Sequence, residues 1–373
     1  MSKKAIVAGH ICIDITPVFP AGKVRKLADV MIPGKTINME QAVVNTGGAV
    51  ANTGLAMKIF GADVKLIGKS GTDEIGGMIR NVMKKYDADQ DIVVSDDAGS
   101  SYTIVLAPPG IDRMFLHSPG VNDTFCSADV SDEALQGVSL MHFGYPSLMR
   151  NMYLNGGKEL ISLYRRAKEK GVVTSLDFSA IDAGSEAGSI DWRHILQEVI
   201  PYVDFFVPSL EELGYMVSPE LYYEWQKKAD GDSIESVITV EHDVRPLAEQ
   251  LLKWGAKGLL IKCGAPGIYY RTAGKEQMQP VCDALGLSTE EWSDMEGFEP
   301  SFVPKAVKSG TGAGDTSIAA FLTSVLRGYS LKRSVCMATA AGASCVETYD
   351  ALSGLSSFEA LEKRIADGWK KQG

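Results

Sequence analysis

The six cysteines (Cys12, Cys126, Cys263, Cys282, Cys336 and Cys345) include no CxxC pair and none has a histidine partner at zinc-ligand spacing. Zinc modules and thioredoxin-like redox sites are thereby excluded, and the cysteines read as buried small hydrophobes in a reducing compartment. An excess of positive charge is also missing. The 37 Lys and Arg against 47 Asp and Glu leave a net charge of −10, and no window is strongly basic. A nucleic-acid footprint is not supported, and anionic substrates must be held by local devices. Long apolar runs are absent too. After Met1-Ser2-Lys3-Lys4 the apolar stretch runs only from Ala5 to Ala8, short of a signal-peptide core. The longest uncharged, fairly apolar stretch, Ser334 to Val346, falls short of the roughly 20 residues that span a bilayer. No membrane segment and a cytoplasmic location are therefore expected, and there is no internal repeat or low-complexity tract.

What is present is an ordinary globular composition: 373 residues, 45% of them hydrophobic, enough for two domains or one large α/β domain. Short β-rich runs (Lys4 to Val7, Val64 to Ile67, Val172 to Phe178, Phe205 to Val207, Gly258 to Cys263) alternate with helical patterns. The helical patterns cover Ala49 to Phe60, Ile75 to Lys85, Gly156 to Lys170, Val244 to Trp254, Ala313 to Arg327 and Leu331 to Val346. Such alternation predicts βαβ units and a mostly parallel sheet. Val18 to Asn45 and Ser100 to Leu116 break the rhythm. Their strand-like pieces, Val30 to Ile32, Tyr102 to Leu106 and Arg113 to Leu116, are predicted to pair as a small separate sheet. Two acidic stretches, Ser218 to Asp243 and Gly274 to Pro300, read as surface excursions.

Phosphate chemistry needs a place for negative charge, and the N–H groups at a helix N-terminus supply one. Gly312-Ala313-Gly314 followed by the run Thr316 to Leu326 is such a place, with Asp315 in the first turn beside it. Taken alone, a carboxylate there is either a helix cap or a base. The spacing is not the G-x-G-x-x-G of a dinucleotide site. Nor is there a Walker A loop: Gly34-Lys35-Thr36 and Gly68-Lys69-Ser70 have Asp29 and Asp63 where its first glycine belongs.

The stretch Ser309 to Asp315 resembles the D-T-x-G-A-G-D signature of the PfkB (ribokinase-like) family of carbohydrate and nucleoside kinases. Further matches follow the family's order over nearly the whole chain. Ile6 to Asp14 is similar to its opening strand ending in a substrate-binding aspartate. Gly47-Gly48-Ala49-Val50-Ala51-Asn52 is similar to its G-G-x-x-x-N turn, and Gly71 to Gly76 to its G-x-D-x-x-G segment.

The resemblance implies a ribokinase-like three-layer α/β sandwich, with a mostly parallel central sheet and helices on both faces. It implies one kinase domain over residues 1–373, with a β lid from about 17–45 and 100–116, and lids that pair in a homodimer. It implies ATP and Mg2+, with Asp315 as base and Gly312, Ala313 and Gly314 as anion hole. Asp14, Gly47, Gly48 and Asn52 would meet a small sugar or nucleoside, and Arg113 on the lid would either reach substrate or phosphate or stand as a solvated lid arginine. Lys262, Gly264 and Gly267, matching the T-x-G-x-x-G loop, would meet the nucleotide together with Thr311 and Ala341. Glu212, matching the last residue of N-x-x-E, would act on Mg2+ through water. The departures fall on cofactor handling. Ser309 and Gly310 replace Asp and Thr, which puts K+ dependence in question; Ser209 replaces Asn, and Lys262 replaces Thr. Phe19, Phe115 and Tyr145 are candidate stacking partners should the substrate be a nucleoside. A catalytically silent nucleotide- or sugar-binding protein is the reading from another class.

Overall fold

The computed structural model describes residues 3–20, 28, 31–109, 111 and 114–372. Fourteen strands occur among them. In chain order they are β1 (Lys4–Gly9), β2 (Cys12–Val18), β3 (Glu40–Gly47), β4 (Asp63–Ile67), β5 (Lys69–Gly71), β6 (Val93–Ser95) and β7 (Tyr102–Leu106). There follow β8 (Met114–Ser118), β9 (Leu140–Gly144), β10 (Val173–Asp177), β11 (Phe205–Phe206), β12 (Gly258–Lys262), β13 (Gly267–Thr272) and β14 (Glu296–Pro300).

Eight strands form the central sheet in the order β14-β13-β12-β11-β10-β9-β1-β4. The six from β12 to β4 pair in parallel, while β13 and β14 join antiparallel. Strands β9 and β10 are buried at every position, as expected for parallel strands covered on both faces. Alternate residues go to opposite faces: Ala5 and Val7 of β1 join one core cluster, Ile6 and Ala8 the other. The first core is closed by helices Ala49–Ile59, Lys275–Leu285, Ala313–Leu326 and Leu331–Cys345. The second is closed by helices Arg150–Glu169, Trp192–Val199, Leu210–Val217 and Arg245–Lys253. The three-layer sandwich and its mostly parallel sheet agree with the sequence reading.

The second sheet, β3-β2-β7-β8, is the expected lid, but it starts earlier than residue 17. The run from Ile6 to Asp14 is not one strand. At His10 the chain leaves β1, with its N–H on the Gly144 carbonyl (3.2 Å), and Cys12 opens β2 in the lid. Asp14 therefore sits on the lid, opposite Asn45 and Thr103, and not at the end of a core strand. Of the strand-like pieces, Met31 and Ile32 are outside any strand, while Val30 and Arg113 lie outside the described residues. Asp73 secures the lid's hinge: one carboxylate oxygen caps helix Glu74–Lys84 through the Gly76 N–H (2.9 Å), and the other accepts the N–H of Ser100 (2.9 Å).

The stretch Gly274 to Pro300 is no surface excursion. It holds helix Lys275–Leu285, the fully buried Trp292 and the edge strand β14. Its acidic residues lie on outer faces, so composition alone misplaced it. Ser218 to Asp243 carries helix Pro219–Ala229, anchored by buried Trp225. Helix Arg150–Glu169 has non-helical backbone from Leu154 to Gly157, which explains why its pattern starts at Gly156. All six cysteines are free, and no described helix is long and apolar enough to cross a membrane.

Candidate active site

The carboxyl ends of β1, β9, β10 and β12 point under the lid, the edge where open α/β sheets take their ligands. From those ends project His10, Tyr145, Asp177 and Lys262. Against them stands the amino end of helix Ala313–Leu326.

That helix begins after Gly312, whose φ of 76° and whose neighbour Ala351 leave no room for a side chain; an added Cβ would lie 2.3 Å from the Ala351 Cβ. Asp315, 3% exposed, does not cap its own helix. Its carboxylate is gripped from two other elements. Asn52 Nδ2 donates at 3.0 Å and Thr53 Oγ1 at 3.2 Å, both from helix Ala49–Ile59. The Tyr145 hydroxyl, beyond β9, lies 2.7 Å and 2.8 Å from the two oxygens. The capping alternative therefore fails. Burial pushes the Asp315 pKa above its ordinary value, and the bonds from Tyr145 and Asn52, with Lys262 and Thr53, draw it part of the way back. Thr311 closes the turn, its N–H on Ser309 Oγ (3.1 Å), while the Ala313 N–H makes a long bond to the Gly310 carbonyl (3.3 Å).

Beside the turn, Lys262 is neither solvent-facing nor alone. Its Nζ lies 2.7 Å from Asp177 Oδ1 and 3.5 Å from the place a Cβ on Gly314 would occupy. Burial alone would lower its pKa, but Asp177 and Glu212 outweigh this and hold it above the ordinary value. Asp177, Glu212 and Asp315 are all pushed up by burial first; the charges of Glu212 and Asp315 add to it at Asp177, and that of Asp315 adds to it at Glu212. One ammonium thus serves the buried Asp177 and Asp315 and the partly buried Glu212. Ser209 and Glu212 form a capping box on helix Leu210–Val217: the Ser209 N–H meets Glu212 Oε2 at 2.7 Å, and the Glu212 N–H meets Ser209 Oγ at 3.2 Å. A serine keeps that cap where the family has Asn.

On the other side, Gly47 and Gly48 make room for the protein itself. A Cβ on Gly47 would overlap the Asp14 carboxylate (2.2 Å), and one on Gly48, at φ 86°, would meet the His10 carbonyl (2.5 Å) and Nδ1 (2.6 Å). Asp14 is mostly buried, bonded by Cys12 Sγ (3.3 Å), and its pKa is raised by burial first and by Asp315 last. Gly264 and Gly267 sit in the β12–β13 turn. Ala341 is wholly buried in the core, and next to it Gly342 comes so close to Ser317 that a Cβ would lie 2.5 Å from its Oγ. Close helix packing thus accounts for that stretch of small residues. Arg113 lies outside the described residues. Sequence reasoning missed Thr53, His10, Asp177 and the bond from Tyr145 to Asp315. Only Asp177 had a local signal, a lone charge ending the buried run Val-Thr-Ser-Leu-Asp.

Comparison with known proteins gives the family and agrees with the fold. The family model described as pfkB family carbohydrate kinase matches residues 7–357. An uncharacterized sugar kinase of Archaeoglobus fulgidus is 24% identical over 293 residues, covering 78% of this chain and 93% of that one. Among solved structures, a fructokinase with bound ATP from Xylella fastidiosa superposes with a TM-score of 0.71 at 18% identity, covering 98% and 99% of the two chains. The Arabidopsis thaliana ribokinase complexed with ribose and ATP gives 0.70 at 17% identity, covering 97% and 98%.

Proposed function

Since this chain belongs to the pfkB family of carbohydrate kinases, we propose that it transfers the γ-phosphate of ATP to a hydroxymethyl group of a sugar, with Asp315 as the base. We read residues 1–373 as one kinase unit with the β2-β3-β7-β8 sheet as its lid. The observation that carries the reading is the position of Asp315: a buried carboxylate held from three sides, next to a glycine turn and a mostly buried lysine.

The chemistry follows from the geometry. The acceptor hydroxyl gives its proton to Asp315 as its oxygen bonds to the γ-phosphorus and the bond from that phosphorus to the leaving ADP oxygen breaks. Asn52 and Thr53 keep the carboxylate in place. The Tyr145 hydroxyl occupies the same oxygens and must share them with the acceptor. Lys262 and the N–H groups of Gly312, Ala313 and Gly314 meet the charge on the transferring group. Gly264, Gly267 and Thr311 would border the nucleotide, while Ala341, wholly buried in the core, serves packing.

A divalent cation fits the residues present, because three carboxylates with raised pKa values, two of them buried, share the Lys262 ammonium. Glu212 and Asp177 would hold Mg2+ through its water shell, and the ion would supply charge neutralisation at the phosphates. Ser309, which turns back onto Thr311 (3.1 Å), stands where the resemblance has an aspartate for a monovalent cation, and turnover with and without K+ tests whether that cation is used. The exposed Val44 and Leu116 lie in one cross-strand row with Ile15 and Ile104, which supports pairing of two lids in a homodimer.

A panel of neutral sugars and nucleosides scored for ADP release tests the reading. Turnover with a sugar is expected. Turnover confined to nucleosides would move the substrate class, and silence across the panel would favour a binding protein.

A further inference from the structure

Among the described residues, three ring nitrogens in the cleft have no hydrogen-bond partner although they are shut off from solvent. They are Nδ1 and Nε2 of His10, a residue 2% exposed, and Nε2 of His117. A buried polar atom without a partner is costly, and native structures leave few of them without a purpose. The two rings lie together, their centroids 5.2 Å apart, and the Tyr145 ring is 6.3 Å from that of His10. The Tyr145 hydroxyl in turn touches Asp315. His117 shares a cross-strand row of the lid with Thr103 and Asp14, so all three side chains point to the same face. Its other nitrogen, Nδ1, is 3.1 Å from Thr103 Oγ1. Thr103 thus stands between His117 and Asp14 in that row, and Tyr145 between His10 and the base.

Their missing partner has a definable chemistry. Among the described residues no third His, Cys, Asp or Glu side chain joins the two rings to ligate a metal ion, which leaves hydrogen-bonding groups. Burial keeps both imidazoles below their ordinary pKa, with His117 beside it as a second cause for His10, so each is neutral near pH 7. A neutral imidazole offers one donor and one acceptor, and a hydroxyl complements either. An anionic group between the rings would face the Asp14 and Asp315 carboxylates.

We infer that His10 and His117 form the recognition wall of the acceptor subsite and hydrogen-bond hydroxyls of a neutral sugar, away from the hydroxyl that is phosphorylated. This inference rests on the sugar-kinase reading above. Gly48 belongs to the same device, since any side chain there would displace the His10 ring. His10 and His117 set specificity; they are not the base.

The test uses His117→Phe, which keeps a ring on the half-buried lid position and removes its nitrogens, with His117→Asn as the conservative variant. Steady-state kinetics with ATP and a neutral sugar, taken first from D-fructose and D-ribose and then from other aldoses, ketoses and polyols, should show a sugar KM raised about 10-fold. The ATP KM and kcat should stay within about 3-fold, and the Asn variant should recover part of the loss. A monodeoxy sugar lacking the contacted hydroxyl should weaken binding to the wild type and weaken the Phe variant much less. An unchanged sugar KM in His117→Phe overturns the inference and leaves the kinase reading standing. Recognition of only anionic sugars or nucleosides overturns it as well. Sugar-induced rise in melting temperature that the Phe variant loses, with no turnover in either protein, supports the inference while sinking the kinase reading.

Discussion

Asp315 has a donor on every side, from Asn52, Thr53 and Tyr145, and Lys262 beside it is locked to Asp177. Across the same cleft, His10 and His117 hold three ring nitrogens with no partner among the described residues. On the proposed reading the first is the phosphoryl end, its groups placed before any ligand arrives, as preorganised stabilisation requires. The second would be the sugar end, which a bound ligand would complete. Shared chemistry calls for the first arrangement, and choice among substrates for the second, because an unpaired buried polar group penalises the wrong occupant.

Substitutions at the phosphoryl end should mainly change kcat. Asp315→Asn removes the proton acceptor and keeps the shape, and kcat is expected to fall by about 10²–10⁴ with sugar binding kept. Lys262→Met removes the charge beside Gly314 and strands Asp177. A kcat/KM loss of about 10²–10³ is expected, with a melting temperature lowered to match about 3–5 kcal/mol for a buried pair broken on one side. A thermal scan beside the kinetics separates the two effects; a variant as active as the wild type would contradict the account.

Gly48→Ala strikes the border between the ends. The Cβ must meet the His10 carbonyl and ring at a positive φ, so a destabilisation of about 1–3 kcal/mol is expected, together with a raised sugar KM. A stable variant with unchanged KM would show that His10 can move freely.

Tyr145→Phe is the smallest and most specific change. The carboxylate must be ionised to act, so activity falls as pH drops through its pKa, which burial already holds above the ordinary carboxylate value. The Tyr145 bond lowers that pKa, and its loss should raise it. The acid limb of the kcat profile should therefore move to higher pH, with little change on the alkaline side. A limb that stays in place or moves down would contradict the role given to Tyr145.

Much of this was legible in the sequence because it is local. The glycine turn, the helix behind Asp315, the Gly47-Gly48 turn and the alternation of strands and helices are each written within a dozen or so residues. What could not be read depends on pairing across the chain. Nothing near His10 says that the chain leaves the central sheet there, since that follows from the β2–β7 pairing with residues far downstream. Tyr145 reaches Asp315 over 170 positions, and Lys262 finds Asp177 over 85. Pro300 ends a sheet strand although its neighbourhood is polar, because an edge strand is buried on fewer sides.

The most direct check on the central claim is phosphorus NMR of ATP, Mg2+ and the accepted sugar mixed with wild type or Asp315→Asn. The account predicts a new sugar phosphate monoester with the wild type, growing in step with ADP, and almost none with the variant over the same time. A monoester formed at the same rate by Asp315→Asn, or only inorganic phosphate from the wild type, would contradict it.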